Sequence, residues 1–150
     1  MPHLHQNVVV PHSVEQMFDL VVAIDQYPKF LPWCTQAHIF KLTDQELDGS
    51  LTVSYKGFSQ SFRTHNTHEK PHRMVMNLID GPFKHFSGQW RFKKAQNASN
   101  PNLESCQIDF DLDYQFKNFL LEMAAGKVFD QIAKSLVDCF VVEAKRRYGN

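Results

Sequence analysis

Two hydrophobic patterns near the C-terminal end place the strongest constraint on the fold of this chain. Between Cys106 and Phe116 apolar side chains alternate with polar ones, which predicts a β-strand with one buried face and one face in water. From Leu120 to Tyr148 apolar residues recur at positions i, i+3, i+4 and i+7, which predicts one amphipathic helix about 40 Å long. Each element has an apolar side to cover, so we expect the helix to pack on a sheet that contains this strand.

Glycines and basic residues give further detail about the predicted helix. Gly149 stands where a helix stop is expected, and Lys145, Arg146 and Arg147 place cations near the negative end of the helix dipole. Gly126 lies inside the helix, where glycine costs about 1 kcal/mol relative to alanine. We expect this glycine to let another element, or a ligand, approach the helix backbone closely.

A tight turn marks the middle of the predicted sheet. The sequence Asp80-Gly81-Pro82-Phe83 lies between two apolar runs, Met74–Ile79 and Phe86–Phe92. Proline lacks a backbone donor and glycine adopts angles that other residues avoid, so neither run continues through the turn. We expect two apolar strands to meet here at an aromatic corner.

Turn and capping signals divide the rest of the chain. A strand over His5–Val10 ends at Pro11, and Ser13 with Gln16 forms a capping-box signature for a helix. A second short helix is predicted over Asp25–Leu31. Further strands are predicted over Ala37–Leu42, Leu47–Tyr55, Phe58–His65, Arg73–Ile79, Phe86–Lys93 and Cys106–Phe116, with a polar loop over Ala95–Asn102.

The predicted order is therefore one strand, two helices, six strands and a long helix (β-α-α-β6-α). Consecutive strands with short connections form an antiparallel sheet. We expect an α+β fold in which a curved antiparallel sheet wraps around the C-terminal helix, in a single domain over residues 1–150. Such an arrangement often leaves a cavity between helix and sheet.

Composition limits the classes of function. The 150 residues include 16 basic and 16 acidic side chains, so net charge does not favour DNA or an anionic membrane, although a local patch stays possible. No apolar run approaches the ~18 residues of a membrane span, and the N-terminus does not resemble a signal peptide. Three cysteines, odd in number and far apart, fit a reduced, cytoplasmic compartment. We expect neither an integral membrane protein nor a DNA-binding protein.

Metal and catalytic motifs are weak. The spacing of His65, His68 and His72 would suit a metal on a helix, but it crosses a predicted strand end and a Pro turn. We therefore interpret these residues as solvent-exposed turn histidines and predict no metal site. Asp109, Asp111 and Asp113 resemble the start of a calcium loop but lack its later ligands. They are better explained as the wet face of a strand, opposite Arg91 and Lys93. No nucleophile or phosphate-loop motif is present, so we predict no catalytic residues and no required cofactor.

Several ordered motifs together resemble one known family. They are Val14–Phe18, Tyr27–Cys34, Asp80–Phe83 with Trp90–Phe92, and Gly126–Phe129. The chain is similar to the coenzyme-Q-binding, polyketide-cyclase-like branch of the START superfamily, which includes bacterial ribosome-association toxins. The resemblance covers nearly the whole chain, from about His3 to Gly149.

The resemblance implies a helix-grip fold, a hydrophobic ligand site and a link to ubiquinone and respiration. Our leading hypothesis is a non-enzymatic protein that binds a lipophilic small molecule, such as ubiquinone or a similar isoprenoid lipid. The toxin relatives imply an alternative, binding to the large ribosomal subunit that blocks subunit association, through Lys145–Arg147 or a surface of Arg91, Lys93 and Lys94. A third class is a polyketide cyclase or aromatase, which would need acid–base groups inside the cavity.

Aromatic and methionine side chains supply the candidate ligand site. Any one of them is more commonly ordinary core, but as a set they exceed what a helix-on-sheet core usually needs. Flat apolar walls of this kind suit a quinone ring or an isoprenoid chain. Met74, Met76 and Met123 are expected to add to this apolar surface. The residues predicted to line the pocket are Trp33, Phe62, Met76, Leu78, Phe83, Trp90, Phe129 and Ile132.

Overall fold

A computed structural model describes residues 3–96 and 104–149 of the chain. It contains seven strands, two α-helices and one short 3₁₀ helix, Ile24–Lys29. The strands are β1 (His3–Val10), β2 (Cys34–Leu42), β3 (Glu46–Tyr55), β4 (Phe58–Glu69), β5 (Arg73–Asp80), β6 (Phe83–Gln96) and β7 (Glu104–Phe116), and the helices are α1 (Val14–Val22) and α2 (Phe119–Tyr148). The predicted order of elements is confirmed. Most of the predicted loop over Ala95–Asn102 lies outside the described residues.

The seven strands form one antiparallel sheet in the order β1-β7-β6-β5-β4-β3-β2. The N-terminal strand closes on the last one, with Val8 opposite Ile108, and β7 pairs on its other side with β6. Helix α2 packs across the inner face of this sheet, and α1 packs beside it against β6 and β7. This is the helix-grip arrangement that the sequence predicts.

The predicted capping box, the β5–β6 turn and the helix stop are all present in the structure. The Ser13 hydroxyl accepts the backbone N–H of Gln16 at 3.1 Å while the Gln16 side chain accepts the N–H of Ser13 at 2.9 Å, so the capping box is complete. In the turn before β6, a Cβ on Gly81 would lie 2.6 Å from the Cβ of Phe62. Glycine therefore lets the β5–β6 turn press directly against β4. At the end of α2, Gly149 has φ of 85° and donates its N–H to the carbonyl of Lys145, as a helix stop requires.

Two histidines and one arginine contact the carboxylates on the solvent-exposed face of β7. Arg91 lies opposite Asp109 in the β6–β7 register, but its guanidinium contacts Asp111 at 3.2 Å. His5 binds the same carboxylate at 2.7 Å, and His3 binds Asp113. Lys93, which is predicted to lie opposite these aspartates, forms no ion pair with them. This face is thus a surface feature of the sheet and holds the β1 edge in register.

The C-terminal half of α2 lies between the sheet and the 3₁₀ helix. The Phe140 ring is 5.3 Å from Trp90 on β6 and 5.2 Å from Tyr27 on the opposite side, both edge-to-face. Trp90 in turn packs on Phe110 of β7 at 4.4 Å. All four side chains are buried, so one aromatic cluster joins four elements: the 3₁₀ helix, β6, β7 and α2.

Nearer its start, α2 is anchored by Phe129. This ring is 4.7 Å from Tyr114 and 5.1 Å from Phe83, and it is 4 % exposed. The Tyr114 hydroxyl also donates to the carboxylate of Asp130. Phe129 therefore faces the sheet, and its partners on β7 are Tyr114 and Phe116.

Two expectations for α2 are wrong. No other element of the described residues approaches the helix backbone closely at Gly126, because the nearest heavy atom to a Cβ there would be the Glu122 Cγ at 3.6 Å; the approach of a ligand stays a prediction. Met123 is not part of an internal wall, since it is 68 % exposed. Met123 lies in a run of three exposed residues, Glu122–Ala124, on the outer side of the helix.

The last turn of α2 contains a buried carboxylate. Glu143 is 4 % exposed and binds the guanidinium groups of Arg146, at 2.6 Å, and Arg147, at 2.5 Å. The hydrogen bond from Arg146 is the main cause that lowers the pKa of Glu143 to about 2, and Arg147 adds to it. Arg147 also lies 5.5 Å above the Phe30 ring. This cluster joins the helix end to the segment that follows the 3₁₀ helix.

We expect Phe129→Ala to lower the free energy of unfolding by about 3–5 kcal/mol, because it leaves a cavity inside the aromatic cluster. Urea denaturation followed by far-UV circular dichroism measures the change. Met123→Ala on the same helix is the matched control and should stay within about 0.5 kcal/mol of the wild type. Similar losses for the two variants would contradict the packing described here.

We expect Glu143→Gln to reduce stability at neutral pH, because it removes the charge that both arginines bind. Since the pKa of Glu143 falls from 4.5 to about 2 on folding, the stabilisation is complete above about pH 4.5 and is lost as the pH falls toward 2. Denaturation of both proteins across this range should show the difference shrinking as acid is added. A difference independent of pH would show that the carboxylate charge contributes nothing.

Candidate functional site

A cavity lies between the inner face of the sheet and helix α2. Its volume is about 70 Å³. A single water needs about 10–15 Å³ on the same measure, so the interior has room for several heavy atoms, such as a small ring. A long chain needs more room, so its entry requires the wall to move.

The wall is almost entirely apolar and comes from every layer of the fold. The 3₁₀ helix and the segment after it, strands β3 to β7 and the middle of α2 all contribute. The lining residues are Ile24, Tyr27, Trp33, Gly49, Leu51, Val53, Phe62, Thr64, Asn66, Met76, Phe86, Trp90, Phe110, Leu112, Phe129, Ile132, Ala133 and Leu136.

Six of the eight residues predicted for the pocket lie on this wall: Trp33, Phe62, Met76, Trp90, Phe129 and Ile132. Phe83 and Leu78 do not. Phe83 packs against Phe62 and Phe86 at 5.9 and 5.1 Å, which makes it part of the cluster that supports the wall. Leu78 is half-buried beside the Gly81 turn. The role of all eight residues in ligand binding stays a prediction, and six of them line the space.

A row of polar side chains on β4 was missed. Because side chains of a strand alternate, Phe62, Thr64, Asn66 and His68 share the inner face, and the last three are buried. Thr64 and Asn66 line the cavity, and the Thr64 hydroxyl donates to the Asn66 carbonyl oxygen at 2.8 Å. The predicted strand stopped at His65, so the alternation that starts at Phe62 was not followed to its end.

His68 corrects our interpretation of the three clustered histidines. It is 7 % exposed and packs edge-on against Phe18 of α1 at 5.9 Å, so it is not a solvent-exposed turn residue. Burial lowers the pKa of His68, and its Nε2 has no hydrogen-bond partner among the described residues. His65 points to the other face and contacts Glu46 at 3.2 Å. Within residues 3–96 and 104–149, no group of three His, Cys, Asp or Glu side chains is arranged to hold a metal ion.

The 3₁₀ helix and the segment after it place two more polar side chains, Tyr27 and Trp33, on the cavity wall. Trp33 is 7 % exposed, and its indole N–H has no partner in the part of the chain that the structure describes. The Tyr27 hydroxyl is already used, because it donates to the carbonyl of Val21, and burial raises its pKa. Burial also raises the pKa of the Cys34 thiol to about 11, so this cysteine is a packing residue and not a nucleophile.

The cavity therefore combines apolar surface with hydrogen-bonding groups and no formal charge. Among the described residues that line it, none is Asp, Glu, Lys, Arg or His. Such a site can bind a largely apolar molecule and orient a neutral polar group, but it offers no evident general acid or base. A separate finding concerns the helices: none in the described residues is long and apolar enough to cross a membrane.

The fold and this internal apolar site define a small helix-grip protein of the START type. Residues 10–141 match the family model for polyketide cyclase / dehydrase and lipid transport, and the chain belongs to that family.

Two relatives span most of the chain. It is 39% identical to the ribosome association toxin RatA of Escherichia coli over 99% of its own length and 90% of the relative's. It is 26% identical to the mitochondrial coenzyme Q-binding protein COQ10 homolog B of Xenopus laevis, over 96% of this chain and 58% of that protein.

Solved structures share the fold at low identity. The Zhui aromatase/cyclase from Streptomyces sp. R1128 superposes with a TM-score of 0.75 at 13% identity, covering 98% of this chain and 95% of that one. A START superfamily protein from Mycobacterium smegmatis gives 0.66 at 18% identity, covering 96% and 97%. At these identities the likeness supports the helix-grip fold and nothing about activity.

Proposed function

We propose that the protein binds a lipophilic small molecule with a neutral polar head, most simply ubiquinone or a related isoprenoid quinone, and that it does so without catalysing a reaction. The observation that carries this proposal is the cavity between sheet and helix. Its wall offers aromatic and aliphatic surface for a ring and the start of a chain, and hydrogen-bonding groups without charge.

The polar groups suit a ligand that only accepts hydrogen bonds. Because the Asn66 carbonyl oxygen already accepts the Thr64 hydroxyl, the amide N–H groups of Asn66 remain as donors toward the cavity. The Trp33 N–H is a second donor without a protein partner. An unpaired buried donor is costly, by about 1–3 kcal/mol, and a ligand carbonyl would relieve that cost. A quinone carries two such carbonyls.

The same chemistry disfavours a cyclase. Cyclisation of a polyketide needs groups that move protons, and the described lining residues provide none that ionise near neutral pH. Tyr27, the one ionisable side chain on the wall, has its hydroxyl bound to Val21 and its pKa raised by burial. The name of the Xenopus relative, a coenzyme Q-binding protein, supports the quinone reading independently of this geometry.

We expect Ala133→Leu to abolish quinone uptake, because Ala133 is buried on the cavity wall and a larger side chain fills the space. The probe is a short-chain ubiquinone, and binding is read from quenching of Trp33 and Trp90 fluorescence and from the shift in melting temperature. Ala124→Leu, exposed on the same helix, is the matched control and should bind as the wild type does.

Cavity filling should leave the fold intact, so the melting temperature of ligand-free Ala133→Leu checks for misfolding. Absence of quenching and of a melting shift in the wild type would contradict the proposal. Equal binding by Ala133→Leu would place the ligand elsewhere.

A second candidate function is association with the large ribosomal subunit, favoured by the RatA relative at 39% identity. The charges of the two predicted surfaces differ. Arg146 and Arg147 are bound to Glu143, and Arg91 is bound to Asp111. Lys93 and Lys94 are exposed and take part in none of the ion pairs of residues 3–96 and 104–149. The β6 lysines are therefore better placed to meet RNA phosphates.

If this alternative holds, Lys93→Glu with Lys94→Glu should weaken co-sedimentation with purified large subunits, and added salt should weaken the wild type in the same way. Lys41→Glu with Lys70→Glu, two exposed lysines on β2 and in the β4–β5 turn, is the charge-matched control. No sedimentation of the wild type at low salt would contradict the alternative while leaving quinone binding untouched.

A further inference from the structure

The first two turns of α2 expose three large apolar side chains. Phe119 is 69 % exposed, Leu120 77 % and Met123 68 %. Their spacing of three and four residues puts them on neighbouring positions of one helix surface. Single exposed apolar residues are common, but a cluster of large ones is informative because it marks a contact surface. We call these three residues the α2 tip patch.

The fold does not need the α2 tip patch. The start of the helix is held by Asn118, whose side chain accepts the N–H of Leu121 at 2.9 Å. The side of this turn that faces the protein is supplied by Leu121, which is half-buried, and Ala125, which is fully buried. The patch points the other way, so its hydrophobicity has no role in the core.

The surroundings of the patch are rich in free cations. Lys117 directly precedes α2, Lys127 lies one turn beyond Met123, and Lys84 follows the β5–β6 turn, which accepts the Lys117 N–H through Pro82 at 3.0 Å. All three lysines are exposed, and no ion pair formed within residues 3–96 and 104–149 includes a lysine.

Two exposed carboxylates, Asp80 and Glu122, lie in the same region. The patch is thus an apolar tip surrounded by a modest excess of positive charge. Ile79, 50 % exposed at the end of β5, adds apolar surface beside the turn.

We propose that the α2 tip patch docks on the surface of an anionic lipid bilayer, with Phe119, Leu120 and Met123 inserted at the boundary of headgroups and acyl chains and the lysines bound to lipid phosphates. Apolar residues flanked by lysines are the chemistry that an interfacial membrane contact uses. A protein partner with an apolar groove would not require the three exposed lysines beside the patch.

The position of the patch adds a consequence that rests on the proposed function. Phe129, on the cavity wall, follows Met123 by six residues, about 9 Å along the helix axis. Docking would bring the neighbouring cavity wall close to a membrane, where a lipophilic ligand resides. The contact would then serve the loading or release of that ligand.

Flotation with lipid vesicles tests the docking itself. The full-length protein is mixed with vesicles of phosphatidylcholine alone or with about one third phosphatidylglycerol, both free of quinone, and the bound fraction is measured. We expect binding to the anionic vesicles that falls in high salt. The triple variant Phe119→Ser, Leu120→Ser, Met123→Ser should lose it by at least about tenfold.

Matched variants separate the patch from general hydrophobicity and charge. Val9→Ser, Leu42→Ser, Val142→Ser removes three apolar side chains that are similarly exposed elsewhere and should bind as the wild type does. Lys117→Glu with Lys127→Glu should weaken binding, whereas Lys41→Glu with Lys70→Glu should not. Because Ala133→Leu fills the cavity and leaves the surface unchanged, it should still dock, so a failed quinone experiment and a failed docking experiment remain distinguishable.

Three results would overturn the proposal: no binding of the wild type to anionic vesicles, equal binding to neutral and anionic vesicles, or an equal loss in the Val9, Leu42 and Val142 control. Analytical ultracentrifugation tests the alternative that the patch binds a second copy of the chain. A wild-type dimer that the tip-patch triple variant converts to a monomer would also overturn membrane docking.

Discussion

The packing of one aromatic face of α2 into the concave side of the sheet is the interaction on which the rest of the structure depends. Phe140 contacts Trp90 and Tyr27 from opposite sides, and Phe129 closes a second cluster with Tyr114 and Phe83. Aromatic rings bury large areas and prefer edge-to-face contacts. Two such anchors, eleven residues apart on a rigid helix, fix both its position and its rotation.

These two anchors also explain why a cavity exists. Between Phe129 and Phe140 the side of α2 that faces the sheet carries smaller or shorter side chains, including Ala133 and Leu136. The anchors hold the helix away from the sheet, and the residues between them do not fill the gap. Dense packing is the rule in protein interiors, so an apolar space kept open by bulky supports is well suited to a ligand.

The surface separates into regions with different chemistry. Arginines and histidines on the sheet and at the helix end are engaged with carboxylates, as in the contacts of Glu143 and Asp111. Lysines are left free, some on β6 and some around the exposed start of α2. The side chains that join elements through carboxylates are therefore different from the lysines that could contact a partner. In the two proposals, ribosomal RNA would contact the lysines of β6, and lipid phosphate would contact the lysines around the start of α2.

The sequence by itself determined the order of elements, the buried face of β7 and the direction in which α2 packs, because these follow from periodic patterns and local capping. The alternation through Phe110 and Leu112 and the helical spacing of Phe129 and Phe140 can be satisfied by only one kind of layering. The same patterns correctly predicted six residues of the cavity wall, because side chains on the inner face of the sheet also border the cavity between sheet and helix.

Only the tertiary structure decided the polar content of the site and the allocation of surface charge. Thr64, Asn66 and His68 look like ordinary residues near a turn until the length of β4 puts them on the inner face, and His68 becomes buried only because α1 covers it. The tertiary structure also decided which apolar side chains border the cavity. Phe83 packs among the rings of Phe62, Phe86 and Phe129, and Leu78 lies beside Gly81, so neither lines the space. Whether the side chain of Arg147 or Lys94 forms an ion pair depends on which carboxylates lie near it in the folded protein. The spacing of residues along one strand or helix does not give that information.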